Sequence, residues 1–164
     1  MCIRDRIYTI PTDGGEAVPL TSHSGSVSSY SWSPNGRWIA YISKDKISIE
    51  EQERKTEGYD MIVMGKEQLY NRLWIFDLET KSHETIFRQD LNVSNFVWSP
   101  DSKFIIFQAS EKVNIDQEYL ESSIYLVKAP SGNPRKIIDT PGKLGSMSIS
   151  VSYTHLRAHE TNGY

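Results

Sequence analysis

Cysteine, histidine and long apolar runs are all scarce in this chain of 164 residues. The single cysteine, Cys2, lies next to the N-terminus, so the sequence predicts neither a disulfide framework nor a thiolate metal site. Among the histidines, His23 and His83 are far apart and lack the spacing of metal ligands. No apolar run approaches the roughly 20 residues of a membrane-spanning helix. We therefore expect no metal, no cofactor and no membrane segment.

The marks of nucleic-acid binding and of hydrolysis are missing too. The 21 acidic residues outnumber the 18 basic ones, which gives a net charge of −3, whereas a nucleic-acid surface needs a clustered basic face. The string Gly-x-Ser-x-Gly, which forms the nucleophile elbow of α/β-hydrolases, does not occur. Gly25-Ser26 and Gly145-Ser146 come nearest and lack its spacing. We expect this chain itself to contain no catalytic residue.

The two ends of the chain are related through their possible codons. The string from Met1 to Asp5 can be encoded by ATG TGT ATA AGA GAC, and the reverse complement of that DNA encodes the string from Val151 to His155. This relation indicates one DNA element translated in two orientations, and both strings resemble read-through of a transposase-type sequencing adapter. We expect residues 1–6 and 151–164 to be adapter-derived and residues 7–150 to be a metagenomic fragment of a longer gene.

A Trp-Ser-Pro motif occurs twice, with its tryptophans 66 positions apart. In each copy a polar turn follows, and Pro at its second position favours a type I turn. The runs 38–42 and 104–107 after the turns are apolar at consecutive positions, which predicts strands covered on both faces. The residues that carry this structural repeat are Trp32, Ser33, Pro34, Gly36, Trp98, Ser99, Pro100 and Asp101.

A hairpin pattern with an aromatic residue recurs at 7–20, 73–87 and 124–138. Its aromatic residue precedes the next motif tryptophan by 24 positions, from Tyr8 to Trp32 and from Trp74 to Trp98. WD40-like propeller repeats span roughly 40–50 residues per blade, which the second unit fits and the first exceeds. We therefore predict an all-β fold, a partial β-propeller with two complete four-stranded antiparallel blades and incomplete flanking blades. The predicted units are a half blade at 7–21, blades at 27–87 and 93–138, and the start of another at 144–150.

The first blade is longer because of an insertion, 44–72, whose first half is charged. We interpret it as a solvated excursion, since charge runs usually mark exposed segments. The alternative is a loop that projects toward a partner domain or the mouth of the propeller. The four tryptophans, at positions 32, 38, 74 and 98, are expected to pack between blades rather than to line a ligand surface.

The WSPNG and WSPDS segments, each followed by an apolar strand, resemble the propeller repeats of TolB-like proteins and of the prolyl oligopeptidase family. The likeness is greatest to the acylaminoacyl-peptidase branch, where a charged stretch of the EEQERKTEGYD type precedes a hairpin like RLWIFDLET. The resemblance implies a propeller that covers an α/β-hydrolase catalytic domain of the same parent chain. That domain would carry a Ser-Asp-His triad, with short or unfolded peptides as the substrates. Since the true N-terminus is expected to be missing, the sequence does not fix the location, and we favour the cytoplasm.

Other interpretations stay open. The dipeptidyl-peptidase branch holds a substrate amino terminus with paired glutamates, so Glu50 and Glu51 are candidate substrate contacts, although the residues around them do not match that branch. The main alternative function is a TolB-like scaffold for protein–protein interaction with no attached enzyme. A carbohydrate- or metal-handling propeller is least supported, because no ligand cluster occurs.

Overall fold

The computed structural model of the chain describes residues 6–21, 25–45, 69–113, 121–139, 144–150 and 156–160, and all regular elements in these ranges are strands. The first six strands are β1 (Tyr8–Thr9), β2 (Val18–Pro19), β3 (Val27–Trp32), β4 (Trp38–Lys44), β5 (Asn71–Asp77) and β6 (Ser82–Thr85). The next six are β7 (Asn92–Trp98), β8 (Phe104–Ser110), β9 (Ser123–Lys128), β10 (Arg135–Asp139), β11 (Leu144–Ile149) and β12 (Leu156–Glu160).

Strands that follow one another in the chain also neighbour one another in the sheets. Strands β3 to β6 form one four-stranded antiparallel sheet, blade 1, and β7 to β10 form a second, blade 2. The pairs β1–β2 and β11–β12 form two-stranded sheets beside them. The four sheets do not close into a ring. The predicted fold class, a partial β-propeller of two complete blades with incomplete flanking ones, is confirmed.

Strand β12 lies within the segment that we predicted to be adapter-derived. Its backbone pairs with β11 from Leu156↔Ile149 to Glu160↔Leu144. A backbone pairing does not depend on where the residues come from, so their origin stays a prediction. Of the predicted insertion at 44–72, residues 46–68 lie outside the described residues.

The second strand of each blade is buried at consecutive positions. In β4 this holds for residues 39–43, and in β8 for residues 105–110. Successive side chains of a strand point to opposite faces, so a strand buried throughout must have both faces covered. The apolar runs in the sequence predicted that both faces of these strands are buried, and the stacking of the sheets is the reason.

Three apolar clusters lie between neighbouring sheets and hold them together. The largest lies between blades 1 and 2 and includes Ala40, Ile42, Ile75, Phe96, Trp98 and Phe107. The second lies between β1–β2 and blade 1 and includes Ile7, Ile39, Tyr41 and Phe76. The third lies between blade 2 and β11 and includes Ile106, Ile124 and Leu144. Each full blade is thus packed between two neighbours.

Tyr41 and Phe107 hold equivalent positions, nine residues after the two motif tryptophans, and both are fully buried. Phe107 stacks between Phe87 and Tyr125, with ring centroids 5.0 and 5.4 Å away. Tyr41 packs on Trp74 at 6.3 Å, but its hydroxyl has no hydrogen-bond partner among the described residues. Desolvation by burial raises the pKa of Tyr41 to about 12. A buried hydroxyl without a partner destabilises the fold.

We predict that Tyr41→Phe raises the free energy of unfolding by about 1 kcal/mol near neutral pH, because an unpaired buried hydroxyl is removed. The folded chain keeps Tyr41 protonated up to about pH 12, whereas the unfolded chain ionises it near pH 10. The wild type should therefore lose stability relative to the variant as pH rises through that window. Urea unfolding on both sides of pH 10 measures this. Phe107→Tyr is the matched control and should destabilise; a Tyr41→Phe chain that is less stable near neutral pH contradicts the prediction.

Candidate functional site

The two ends of the blades differ in their chemistry. One end, which we name the turn end, carries the motif turns Ser33–Gly36 and Ser99–Ser102. The other, which we name the connection end, carries residues 44–45, 69–72, 89–92, 110–113 and 121–123, where the β4–β5 and β8–β9 connections begin and end.

The first motif turn is held by a closed set of hydrogen bonds. The hydroxyl of Ser33 donates to Asn35 Oδ1 at 2.7 Å and accepts from the Trp38 amide at 2.9 Å. Asn35 Oδ1 also accepts from the Arg37 amide at 3.1 Å, and the Gly36 amide donates to the Ser33 carbonyl at 2.9 Å. Serine and asparagine thus satisfy turn amides that no strand partner reaches.

The second motif turn repeats this set atom for atom. The hydroxyl of Ser99 donates to Asp101 Oδ1 at 2.7 Å and accepts from the Phe104 amide at 2.9 Å. Asp101 Oδ1 accepts from the Lys103 amide at 3.0 Å, and the Ser102 amide donates to the Ser99 carbonyl at 2.9 Å. Asn35 and Asp101 are interchangeable here because the shared interaction is acceptance by a side-chain oxygen.

The second turn also contacts the first across the blades. Gly36 and Ser102 occupy the same left-handed position, with φ of 72° and 61°. A serine is strained there, but its hydroxyl accepts a hydrogen bond from the Asn35 amide at 3.0 Å. In the sequence, Ser102 differs from its equivalent in the first motif, Gly36, and nothing there indicates a contact between the two turns. Its role between the blades depends on the distance between two turns that lie far apart in the chain.

The motif tryptophans are equivalent in register but not in burial. Trp32 pairs with Ile39 and Trp98 with Ile105. Trp98 is 6% exposed and stacks on Trp38 at 6.3 Å with an interplanar angle of 8°. Trp32 is 48% exposed. The expectation that all four tryptophans pack between blades is therefore wrong for Trp32, because none of the described strands covers its part of blade 1.

At the connection end, Arg72 is the centre of an ion-pair network. Its Nε lies 2.9 and 2.8 Å from the two carboxylate oxygens of Asp45, and its Nη2 lies 2.7 Å from Asp90 Oδ1. Its Nη1 donates to the Gln89 carbonyl at 3.1 Å, and its guanidinium lies 5.5 Å from the Tyr70 ring centroid. Arg72 therefore joins both ends of the β4–β5 connection to the corner between blades 1 and 2.

Burial favours the neutral form of Arg72, yet hydrogen bonds and charge from Asp90 and Asp45 outweigh it and raise the pKa of Arg72 above its usual value. The Arg72 side chain is 18% exposed and that of Asp45 is 28% exposed, so solvent screens this network only in part. The planar guanidinium reaches its three partners from three different nitrogens in a fixed fork, whereas the donors of a lysine ammonium all lie on one nitrogen.

Two further bonds cross between the blades at this end. The Asn71 amide donates to Oδ1 of Asn92 at 3.0 Å, and the Tyr70 hydroxyl donates to the Glu111 carbonyl at 3.4 Å. Asn92 is 1% exposed, and its Nδ2 has no hydrogen-bond partner among the described residues. The start of β5 is thus tied to both strands that begin or end beside it in blade 2.

The outer part of the connection end carries weaker ion pairs. Lys136 Nζ lies 3.8 Å from Glu111 and 3.7 Å from Asp139, and 5.8 Å from the Tyr125 ring centroid. The hydroxyl of Ser123 donates to Asp139 Oδ1 at 2.9 Å. Desolvation lowers the pKa of Lys136, but the charges of Tyr125, Asp139 and Glu111 raise it overall. The Glu111 and Asp139 side chains are exposed and that of Lys136 is 38% exposed, so these two ion pairs contribute little stability.

The structure places only some of the sequence-predicted site residues. Glu50 and Glu51 lie outside the described residues, so their assignment as substrate contacts stays a hypothesis. His23 lies outside them as well, while the ring of His83 packs against Trp74 at 6.1 Å. Sequence reasoning missed Arg72 and Asp45. Their only signal was a charged residue at each edge of the insertion, which many surface loops share.

The connection end offers binding groups rather than reactive ones. In the described ranges, no three His, Cys, Asp or Glu side chains lie close enough together to hold a metal ion. No helix is present in these ranges, and so none that is long and apolar enough to span a bilayer. Arg72 pairs with Asp45 and Asp90, and we name these three residues the rim.

The comparisons with known proteins agree with this architecture. No protein-family model and no curated protein matches the sequence. Among solved structures, a protein described as TolB from Agrobacterium tumefaciens superposes with a TM-score of 0.57 and 22% identity, over 84% of this chain and 42% of that one. The tricorn protease superposes with a TM-score of 0.60 and 13% identity, over 88% of this chain and 16% of that one.

An acylaminoacyl peptidase from Pyrococcus horikoshii superposes with a TM-score of 0.53 and 17% identity, over 82% of this chain and 17% of that one. The chain therefore spans less than half the length of each of these structures. At such identities the likeness shows the fold. The predicted resemblance to the propellers of TolB-like proteins and of prolyl-oligopeptidase-type peptidases is confirmed at that level.

We predict that Ser102→Ala lowers the free energy of unfolding by about 1 kcal/mol, because it loses the bond to Asn35 and keeps the strained φ. Ser102→Gly should be close to neutral, since glycine recovers about 1 kcal/mol at a left-handed position. Urea unfolding of both variants measures the difference. Gly36→Ala is the control: the added methyl meets no atom within 4 Å, so any loss reports φ alone. A glycine variant less stable than the alanine variant contradicts the interpretation.

For the rim, we predict that Arg72→Lys lowers the free energy of unfolding by about 1–2 kcal/mol, because the charge is kept but the fork to Asp45, Asp90 and Gln89 is lost. Arg37→Lys is the matched control at the turn end. Its side chain is 42% exposed and pairs with Asp77 at 3.2 Å, so it should cost less than about 1 kcal/mol. Equal losses in the two variants would show that the rim network has no special role.

Proposed function

We propose that this chain is the non-catalytic propeller portion of a serine peptidase of the prolyl oligopeptidase family. In this proposal the propeller limits the access of peptides to an α/β-hydrolase catalytic domain of the same parent protein. The chemistry has to come from that other domain, because the sequence has no Gly-x-Ser-x-Gly. Short or unfolded peptides are the proposed substrates of the parent protein.

The observation that carries the proposal is the rim at the connection end. The charged β4–β5 insertion leaves blade 1 at Asp45 and returns at Tyr70, and Arg72 holds both points and the neighbouring blade corner. A propeller that limits access at this end needs strand ends that are held in place. Two other features support the same family. The fold is similar to that of an acylaminoacyl peptidase, and the segment RLWIFDLET, which contains most of β5, resembles a hairpin of that family.

A TolB-like scaffold without an attached enzyme is the second candidate. It is favoured by the match to TolB, which has 22% identity and extends over 42% of that chain. The propeller fold is compatible with both candidates, because a fold does not determine the chemistry attached to it. The two candidates differ in whether a catalytic serine accompanies the propeller.

We predict that the full-length parent protein, expressed from a gene recovered from the source DNA, reacts covalently with a fluorophosphonate probe at one serine. It should cleave short N-acylated peptides several-fold faster than a long unfolded polypeptide, and a folded protein hardly at all. Absence of labelling, together with no Gly-x-Ser-x-Gly in the parent sequence, would reject the peptidase and favour the scaffold.

The gating role has its own test in the same full-length protein. Arg72→Ala should raise cleavage of the long polypeptide relative to the short peptide, because the contacts of Arg72 to Asp45, Gln89 and Asp90 at this end of the propeller are lost. Arg37→Ala, at the opposite end of the same blade, is the matched control and should leave that ratio unchanged. A labelled, active enzyme whose ratio is the same in both variants keeps the peptidase assignment but rejects the gate.

A further inference from the structure

One asparagine–glycine pair, Asn35-Gly36, lies among the described residues, at the end of the first motif turn. Such a pair has a reaction of its own. The deprotonated amide nitrogen of the glycine attacks Cγ of the asparagine, a C–N bond forms, and the bond from Cγ to the side-chain nitrogen breaks and releases ammonia. Water then opens the cyclic succinimide at either carbonyl carbon, which leaves aspartate or isoaspartate. Glycine favours the attack because it has no Cβ to obstruct it.

Solvent reaches both residues of the pair. Asn35 and Gly36 are exposed, and a Cβ added at Gly36 would meet no atom within 4 Å. Water and hydroxide therefore have access to the reacting atoms, and burial does not limit the reaction. The hydrogen bonds of the turn are what remains to control it.

These hydrogen bonds occupy the atoms that would react. The Gly36 N–H, which has to lose its proton, donates to the Ser33 carbonyl at 2.9 Å. The Asn35 side chain is held by two donors to its Oδ1, the Ser33 hydroxyl at 2.7 Å and the Arg37 amide at 3.1 Å. The Asn35 amide donates to Ser102 Oγ of blade 2 at 3.0 Å. The attack therefore requires that the turn first opens locally.

The two donors to Asn35 Oδ1 also have an opposite effect. Donors to a carbonyl oxygen stabilise the negative charge that develops on it during an attack, as they do in an oxyanion hole. This stabilisation helps only a nucleophile that is free, and the Gly36 nitrogen stays bonded to the Ser33 carbonyl while the turn is closed. The restraint on the nucleophile therefore outweighs the polarisation of the carbonyl, and the net effect of the turn is protection.

We infer that Asn35 is a deamidation site that the folded motif turn keeps closed and that reacts when the turn opens. The aspartate product fits the turn, because Asp101 makes the same bonds to a serine hydroxyl and a main-chain amide in the second motif. The isoaspartate product does not fit, since its Cβ becomes part of the main chain and lengthens the turn. Deamidation thus marks chains whose first turn has been open, and this holds whether or not the parent protein is a peptidase.

The test follows Asn35 in the purified chain, in mildly alkaline buffer, by mass spectrometry of tryptic peptides. Cleavage after Arg37 separates Asn35 from the other asparagine–glycine pair of the sequence, at 162–163. We expect deamidation of Asn35 to be several-fold slower in the folded chain than in the same chain unfolded in urea, because only the open turn reacts. Equal rates in the two states would overturn the inference.

The variant Ser33→Ala distinguishes protection from activation by the donors to Oδ1. It frees the Asn35 side chain and should raise the rate in the folded chain several-fold, whereas a lower rate would show that the donors accelerate the reaction and would overturn the inference. Ser99→Ala is the matched control, because it removes the equivalent bonds from the second turn. It should leave the Asn35 rate close to that of the wild type. An equal rise in both variants would assign the effect to a general loss of stability and reject the inference.

Ser102→Ala provides a second reading, because it leaves every bond within the first turn in place and removes only the one from the Asn35 amide. It should raise the rate of deamidation by a smaller factor than Ser33→Ala. If circular dichroism shows that Ser33→Ala does not fold, a rise in Ser102→Ala alone supports the inference, and the absence of a rise rejects it.

The fit of the products is tested through stability. Asn35→Asp should unfold at the same urea concentration as the wild type, and so should the reverse exchange in the second turn, Asp101→Asn. Aged chains that carry isoaspartate at position 35 should unfold at a lower urea concentration. An Asn35→Asp chain as unstable as the isoaspartate chain would contradict the claim that aspartate fits this turn.

Discussion

The packing of one blade on the next is the interaction on which the rest of this structure depends. The strands at 39–43 and 105–110 are buried at every position, so neither sheet could remain stable in water with one face open. Stacking of Trp98 on Trp38 and the large cluster around Phe107 close that face between the blades. Burial of apolar surface stabilises a fold by about 25 cal/mol per Å². Because the largest apolar cluster lies between the two blades, this stabilisation depends on both blades being present.

The polar groups follow from this packing and divide into two kinds. At the turn end, serine and asparagine or aspartate satisfy the amides of their own turn and repeat with the motif, and the Ser102 hydroxyl adds one bond between the two turns. At the connection end, Arg72 and Asn92 bond to residues from other elements. The turn networks recur with the motif, whereas among the described residues the rim occurs once and depends on the contact between blade 1 and the start of blade 2. This makes the rim the more specific feature of the chain.

The sequence was sufficient for the fold because propeller architecture is periodic. The 66-position offset of the motif, the aromatic hairpins and the doubly apolar strands each predicted stacked four-stranded sheets, and the sheets are present. It was insufficient for the Arg72 network, because a salt bridge to Asp45 and Asp90 leaves no periodic pattern. It misplaced Trp32, because identical local sequence predicts identical burial only when the neighbouring sheet is also identical.

What the sequence alone determined is the set of features that local chemistry specifies. These are the turns at Ser33 and Ser99, the direction of each strand, and the apolar character of both faces. The tertiary structure alone decided which equivalent residues differ. Trp98 is covered and Trp32 is open, and Ser102 accepts a bond from the neighbouring turn where Gly36 has no side chain to offer. The physical reason is that burial and long-range hydrogen bonds depend on what lies across the gap between two sheets, which is not a property of either strand.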